Sequence, residues 1–137
     1  MRTVPRILLP DGTKQSLDTT VIRNRTINRY RPEENRSVCY CQACLDIKPD
    51  SLIEVNNIAV QPRYYWPQMR IALCLNCSKK FENLRRIDSV REDFFDALRN
   101  TNIQSPEPIE IPIGNMYISF TQTHLAEIQE ILKSEKY

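Results

Sequence analysis

Residues 37–81 read SVCYCQACLDIKPDSLIEVNNIAVQPRYYWPQMRIALCLNCSKKF and hold all five cysteines of the 137-residue chain. Four of them form two Cys-x-x-Cys pairs, Cys41 with Cys44 and Cys74 with Cys77. Two residues between cysteines make a tight knuckle whose sulfurs converge, and two such knuckles supply four thiolates at tetrahedral distances for a zinc ion. The segment between the pairs, residues 45–73, is long enough for a hairpin that carries the second pair back to the first. A helix starting near Cys77 would place backbone N–H groups and the positive helix end beside its thiolate. The expected cofactor is therefore structural Zn2+ held by Cys41, Cys44, Cys74 and Cys77, with no coordination position left for substrate. Such an ion contributes about 10 kcal/mol or more to the folding of a small module. Buried small apolar side chains and a redox dithiol are the alternatives for the same thiols. Cys39 is read as packed or free, because standing in for Cys41 would give up the knuckle spacing.

Paired thiols and an odd cysteine count suit a reducing compartment better than a disulfide framework. The N-terminal stretch MRTVPRILLPDGTK is broken by Pro5 and Pro10 and has no continuous apolar region with a small-residue cleavage site. With no run long and apolar enough to cross a bilayer, the expectation is a cytoplasmic protein with no membrane partner. The net charge of +2 conceals an asymmetry. Lysine plus arginine against aspartate plus glutamate gives 8 minus 4 for residues 1–38, 9 minus 8 for 39–100 and 2 minus 5 for 101–137. The front is basic and the tail acidic.

Along the chain, Ile7 to Leu17 places a Pro-Asp-Gly turn between two short runs, as in a small hairpin or extended arm. Residues 19–36, TTVIRNRTINRYRPEENR, carry five arginines with little apolar content and are expected to be a linker that orders on contact or a strand against the next module, a flexible linker being favoured. Leu52 to Val55 and Arg70 to Leu73 are strand candidates that should pair. Phe81, Leu84 and Ile87 predict the inner face of a helix running from about Cys77. Ser89 with Glu92 reads as a capping box that starts another helix, with Val90, Phe94 and Leu98 on one face. Ile109, Ile111 and Ile113 alternate as a strand, Gly114-Asn115 supplies a turn, and Met116 to Phe120 returns. Thr121 or Thr123 then caps a last helix with Leu125, Ile128 and Leu132 inward. Three segments are expected: a basic arm or linker over 1–37, a zinc-binding finger with following helices over 38–100, and a hairpin plus helix packed on the finger over 101–137.

The knuckle, hairpin and Cys-x-x-Cys at a helix start resemble a treble-clef zinc finger. Cys41-Gln42-Ala43-Cys44, then Ile53-Glu54-Val55-Asn56-Asn57-Ile58, then Ala72-Leu73-Cys74-Leu75-Asn76-Cys77 resemble, in that order, the HNH (His-Me finger) endonucleases. The resemblance implies an α+β fold: a treble clef of knuckle, β-hairpin and helix, followed by a C-terminal β-hairpin and helix. In those nucleases an acid or histidine followed by the water-activating histidine stands where this chain has Asn56 and Asn57. A further histidine follows the position of Cys77, where this chain reads Ser78-Lys79-Lys80-Phe81-Glu82. The family's middle asparagine is met by Gln68-Met69. An amide does not titrate near neutrality, so Asn57 cannot be a general base. The implied reading is a degenerate finger without catalysis. His124, the only histidine, is expected to be a cap or surface group, with the tail not folding over the hairpin. Glu54 and Glu82 are read as solvated carboxylates, with weak capture of a second cation, the carbonyl of Asn56 as a further ligand, as the alternative. From Cys39 to about Leu132 the order of finger, helices, hairpin and helix also resembles the C-terminal part of large bacterial proteins with a sacsin-type ATPase region, related to plant NO VEIN proteins. That resemblance implies that the chain is a piece of a longer protein.

Arg63, Tyr64, Tyr65, Trp66 and Arg70 interleave cations with flat rings, a composition suited to stacking on bases and touching phosphates. The same rings between Pro62 and Pro67 suit packing or partner contact, which is the favoured role. Lys79, Lys80, Arg85 and Arg86, with the arginines of residues 23–36, would add a phosphate-facing stripe. Three functions are carried forward. They are a nucleic-acid-binding module for DNA or RNA within a larger bacterial defence or processing protein, a scaffold that docks other domains, and an active nuclease with unusual ligands.

Overall fold

The computed structural model describes residues 6–8, 14–16, 19–60 and 66–135, with side chains over 23–60 and 66–134. Arg6–Leu8 (β1) pairs antiparallel with Lys14–Ser16 (β2), the hairpin expected around the Pro-Asp-Gly turn, whose own residues lie outside the described ones. Thr19–Arg29 is a helix, α1, which corrects the expectation of a flexible linker there. The physical reason is tertiary. Thr26 and Ile27 are buried, and the Arg23 guanidinium donates to the carbonyls of Ile53 at 2.8 Å and Asp50 at 2.6 Å. Arg29 pairs with Glu127 at 2.8 Å, and Arg31 grips both Asp50 oxygens at 2.9 and 2.7 Å. Arg36 donates to the carbonyls of Arg31 and Asn28. Four of the five arginines thus satisfy carbonyls and carboxylates of the chain itself, which composition alone does not show.

Val38–Tyr40 (β3) and Ile47–Pro49 (β4) form the next antiparallel pair, on either side of the Cys41–Cys44 turn. Ile53–Asn57 (β5) and Arg70–Cys74 (β6) pair in the register Ile53↔Cys74 to Asn57↔Arg70, as the two apolar runs predict. Leu75–Arg85 (α2) and Asp88–Asn100 (α3) follow directly. Ile109–Ile113 (β7) and Met116–Phe120 (β8) pair with Ile113 opposite Met116, so Gly114 and Asn115 alone make the turn. Gly114 has φ +57° and Asn115 does not share a positive φ, as a two-residue hairpin with glycine first requires. Gln122–Glu135 (α4) is the last element described, capped by Thr121, whose Oγ1 accepts from the His124 N–H at 3.1 Å. The described chain is mixed α+β with small antiparallel hairpins.

One core joins these elements. Ile71 and Leu73 of β6, Phe81 of α2, Phe94 and Leu98 of α3, Ile111 and Ile118 of the last hairpin, and Leu125 and Ile128 of α4 are all inaccessible to solvent. Phe81 and Phe94 meet edge to face with centroids 6.2 Å apart, which locks α2 against α3. Each such side chain contributes about 1.5–3 kcal/mol by leaving water. Two local expectations change. Ile87 lies beyond the end of α2 and is 49% exposed, because the helical period that predicted its burial stops at Arg85. The Ser89 capping box does not form: Ile87 occupies the cap position, its carbonyl accepts from the Arg91 N–H at 2.9 Å, and Ser89 already lies inside α3. Among the described residues no helix is long and apolar enough to cross a membrane.

Candidate metal centre

The first knuckle is built by a chain reversal after β3. Leu45 adopts φ +67°, its N–H donates to the Cys41 carbonyl at 2.9 Å, and the Cys41 N–H donates to the Asp46 carbonyl at 2.9 Å. The Ala43 N–H points at the Cys41 sulfur, 3.4 Å away. The second knuckle is the β6–α2 junction. Cys74 ends the strand and caps the helix, and Cys77 sits in the first turn, where the orphan N–H groups and positive helix end favour a thiolate.

Gln42 holds the two knuckles together. Its N–H donates to the Ala72 carbonyl at 2.9 Å, while its side-chain Oε1 accepts from the Ala72 N–H at 2.8 Å. On its other side Nε2 donates to the Ser119 carbonyl at 2.9 Å, and its own carbonyl accepts from the Ser119 N–H at 2.6 Å. A single buried residue therefore bridges β6 and β8 and sets the first knuckle against the second. The sequence reading did not single out Gln42. The only signal was a long polar side chain inside a knuckle.

The four sulfurs of Cys41, Cys44, Cys74 and Cys77 lie within 4.8 Å of one another, and Cys44 and Cys74 are 3.9 Å apart. A metal ion can be held there. Cys41, Cys74 and Cys77 are buried and Cys44 is exposed, so the cluster lies just beneath the surface. Burial, with some offset from the backbone near Asp46, pushes the Cys44 thiol up to about 11. Burial and the neighbouring Cys41 raise Cys77 further. Burial would raise Cys74 too, but hydrogen bonds from the Cys77 N–H and the surrounding thiols outweigh it and hold Cys74 below the ordinary thiol range. Charge on one of these sulfurs opposes charge on its neighbours, which is the conflict that raises Cys77. A divalent cation would remove the conflict by ionising all four. Cys39 lies outside the cluster. It is fully buried, 3.7 Å from the Ile27 carbonyl, and burial pushes it up to about 11.

On the hairpin, Asn56 is buried and its amide Nδ2 donates to the Glu54 carbonyl at 3.3 Å. The Ser78 hydroxyl of α2 faces Glu54 Oε2 at 2.8 Å and Asn56 Oδ1 at 3.1 Å, its one proton shared between them. The Asn57 carbonyl accepts from Arg85, and its Oδ1 is buried without a partner. His124 differs from its expected place as a cap or surface group. It is 1% exposed, its Nε2 is 2.8 Å from the Gln68 carbonyl and its Nδ1 is 2.6 Å from the Tyr30 hydroxyl. The tail does reach the start of the hairpin's second strand, contrary to expectation, and it does so through this ring. The carbonyl requires Nε2 to carry the proton, so Nδ1 accepts from Tyr30.

Of the residues expected to meet a partner, Arg63, Tyr64 and Tyr65 lie outside the described residues. Trp66 is 3% exposed and packs in the core, the favoured of its two roles. Arg70 is half-buried. Arg85 turns inward, 5.7 Å over the Phe81 ring and donating to the Asn57 carbonyl. Lys79, Lys80 and Arg86 are exposed on and just after the helix that carries Cys77. No protein-family model, characterised protein or solved structure matches this chain.

Proposed function

We propose that this chain is a zinc-stabilised treble-clef module of HNH-like build, without nuclease chemistry, that binds nucleic acid as part of a larger bacterial defence or nucleic-acid-processing protein. The four-sulfur cluster carries the metal half of this reading. Sulfurs bonded tetrahedrally to zinc at 2.3 Å stand about 3.8 Å apart, close to the 3.9 Å between Cys44 and Cys74. Zinc there ties the β3–β4 turn to the β6–α2 junction and takes no part in a reaction.

The binding half rests on α2. Its first turn carries Cys77 and its exposed side carries Lys79 and Lys80, with Arg86 following, so the ion would fix a basic face at a rigid helix. Asn57 offers no titrating group, and Ser78, Glu54 and Asn56 bond to one another, which supports a binding role over water activation. Mobility shifts with duplex and single-stranded DNA and RNA across a salt series test this reading. A complex that weakens steeply with salt supports it, and salt-insensitive or absent binding ends it. Plasmid nicking with Mg2+ or Mn2+ would point to an active nuclease instead.

Exposed apolar side chains favour a second reading, a protein-docking scaffold. Leu45, Ile47, Leu52 and Leu75 are each 42–50% exposed, and Leu52 and Leu75 line a shallow groove of about 210 Å3 beside Cys74. Pull-down of another domain that survives high salt would select it.

A further inference from the structure

A cavity of about 340 Å3 lies between the first knuckle and the loop before β7. Its wall is made of Tyr30, Tyr40 and Phe120, with Leu45 and Pro108 adding apolar surface. Among the described lining residues Glu107 alone carries a formal charge. Most of the other polar side chains are already engaged, the hydroxyls of Tyr40 and Ser119 excepted. Tyr30 donates to His124 and accepts from the Thr121 N–H, Thr121 Oγ1 caps α4, and both ends of the Gln42 amide are bonded to backbone. A neutral polar ligand would therefore find few free partners, and an anion would meet the Glu107 carboxylate. A neutral apolar ligand would cover that carboxylate without compensating it. A cation whose charge is spread over methyl groups needs no hydrogen bond, is attracted by aromatic faces and neutralises the acid.

We propose that this cavity is a binding site for a methylated ammonium group. Tyr30 and Tyr40, both half-buried, supply the aromatic surface, and Glu107 supplies the counter-charge. The site is independent of the nucleic-acid reading, since none of its residues belongs to the basic face of α2. Glu107 Oε2 accepts from the Gln122 N–H at 2.5 Å, which fixes the carboxylate at the start of α4.

Amide NMR titration of the full chain with choline, and with its uncharged isostere 3,3-dimethylbutanol, tests the assignment. Choline is expected to shift the amides of Tyr40, Leu45 and Thr121 saturably and to bind about tenfold more tightly than the isostere. Glu107→Gln, which keeps an oxygen for the Gln122 N–H, is expected to erase that preference while leaving the melting temperature near wild type. Equal binding of the two probes, no saturable shift with choline, or an unchanged preference in Glu107→Gln overturns the proposal. A trimethyllysine peptide distinguishes the sources of the group. Binding well above choline supports a protein side chain, and binding equal to choline supports a free small cation.

Discussion

Tyr30 and His124, 94 residues apart in the chain, share a 2.6 Å hydrogen bond in which the phenol donates to Nδ1. With Nε2 donating to the Gln68 carbonyl, the ring ties α1, the approach to β6 and the start of α4 at one buried point. Phe120 packs edge to face on the same ring at 5.1 Å. His124 is therefore a structural residue whose neutral form the fold requires.

Acid should expose that requirement. Burial, reinforced by the positive charge of Arg29, pushes His124 down to about 3. The unfolded chain takes up its proton near the ordinary value of 6.5, whereas the folded chain resists until about 3. The unfolded state thus binds more protons between these values. Stability from this residue is complete above pH 6.5 and falls by up to about 1.4 kcal/mol per pH unit below it. Urea unfolding of wild type and His124→Phe from pH 7.5 to 4.5 checks this, since the acid response of the thiolates is common to both. Parallel pH curves would exclude the mechanism.

Loss of one thiolate should release the metal. Cys77→Ser is expected to lower bound zinc from about one equivalent to a minor fraction and to shift the unfolding transition strongly downward. Zinc analysis of the purified chain and the thiolate-to-metal charge-transfer bands of cobalt-substituted protein measure it. Cys39→Ser, outside the cluster, should retain both.

Gln42→Ala removes a side chain that completes the backbone pairing of Ala72 and Ser119. Two buried groups lose partners, so a loss of about 2–4 kcal/mol is expected. Amide exchange should accelerate at Ala72, whose N–H Gln42 now protects, while the far end of α3 stays unchanged.

Gly114→Ala meets two obstacles. The backbone is at φ +57°, and an added Cβ would stand 2.7 Å from Leu84 Cδ2. A destabilisation of about 1–2 kcal/mol in thermal or urea unfolding is expected. Leu84→Ala combined with it should recover the steric part and leave the conformational part.

If the face of α2 holds phosphates, Lys79→Glu with Lys80→Glu should weaken binding to all sequences alike and reduce the salt slope by about two. Circular dichroism and zinc content should be unchanged, because both side chains are exposed. An unaltered salt slope would move the contact surface elsewhere on the protein.

The legible parts of the chain were those where local chemistry repeats at short range. Cys-x-x-Cys spacing marked the thiol cluster, short apolar runs marked β5 and β6, alternation marked β7 and the Gly114-Asn115 turn its return as β8, and Phe94 and Leu98 marked the buried side of α3. A threonine cap on α4 was legible as Thr121 or Thr123, and the fold uses Thr121. Ile87 and Ser89 misled because a periodicity does not announce where the α2–α3 turn interrupts it.

The residue types and their spacing thus determined, without any coordinates, which thiols could converge and which apolar runs would form strands and helices. Tertiary structure alone decided the fate of the polar residues. Arg23, Arg31 and His124 read as linker, cap or surface chemistry and Gln42 carried no reading of its own, yet each ends on a backbone or carboxylate partner far along the chain. The physical reason is that an apolar side chain is directed inward by water wherever it lies, whereas a buried polar group is stable only beside a specific partner that folding must deliver.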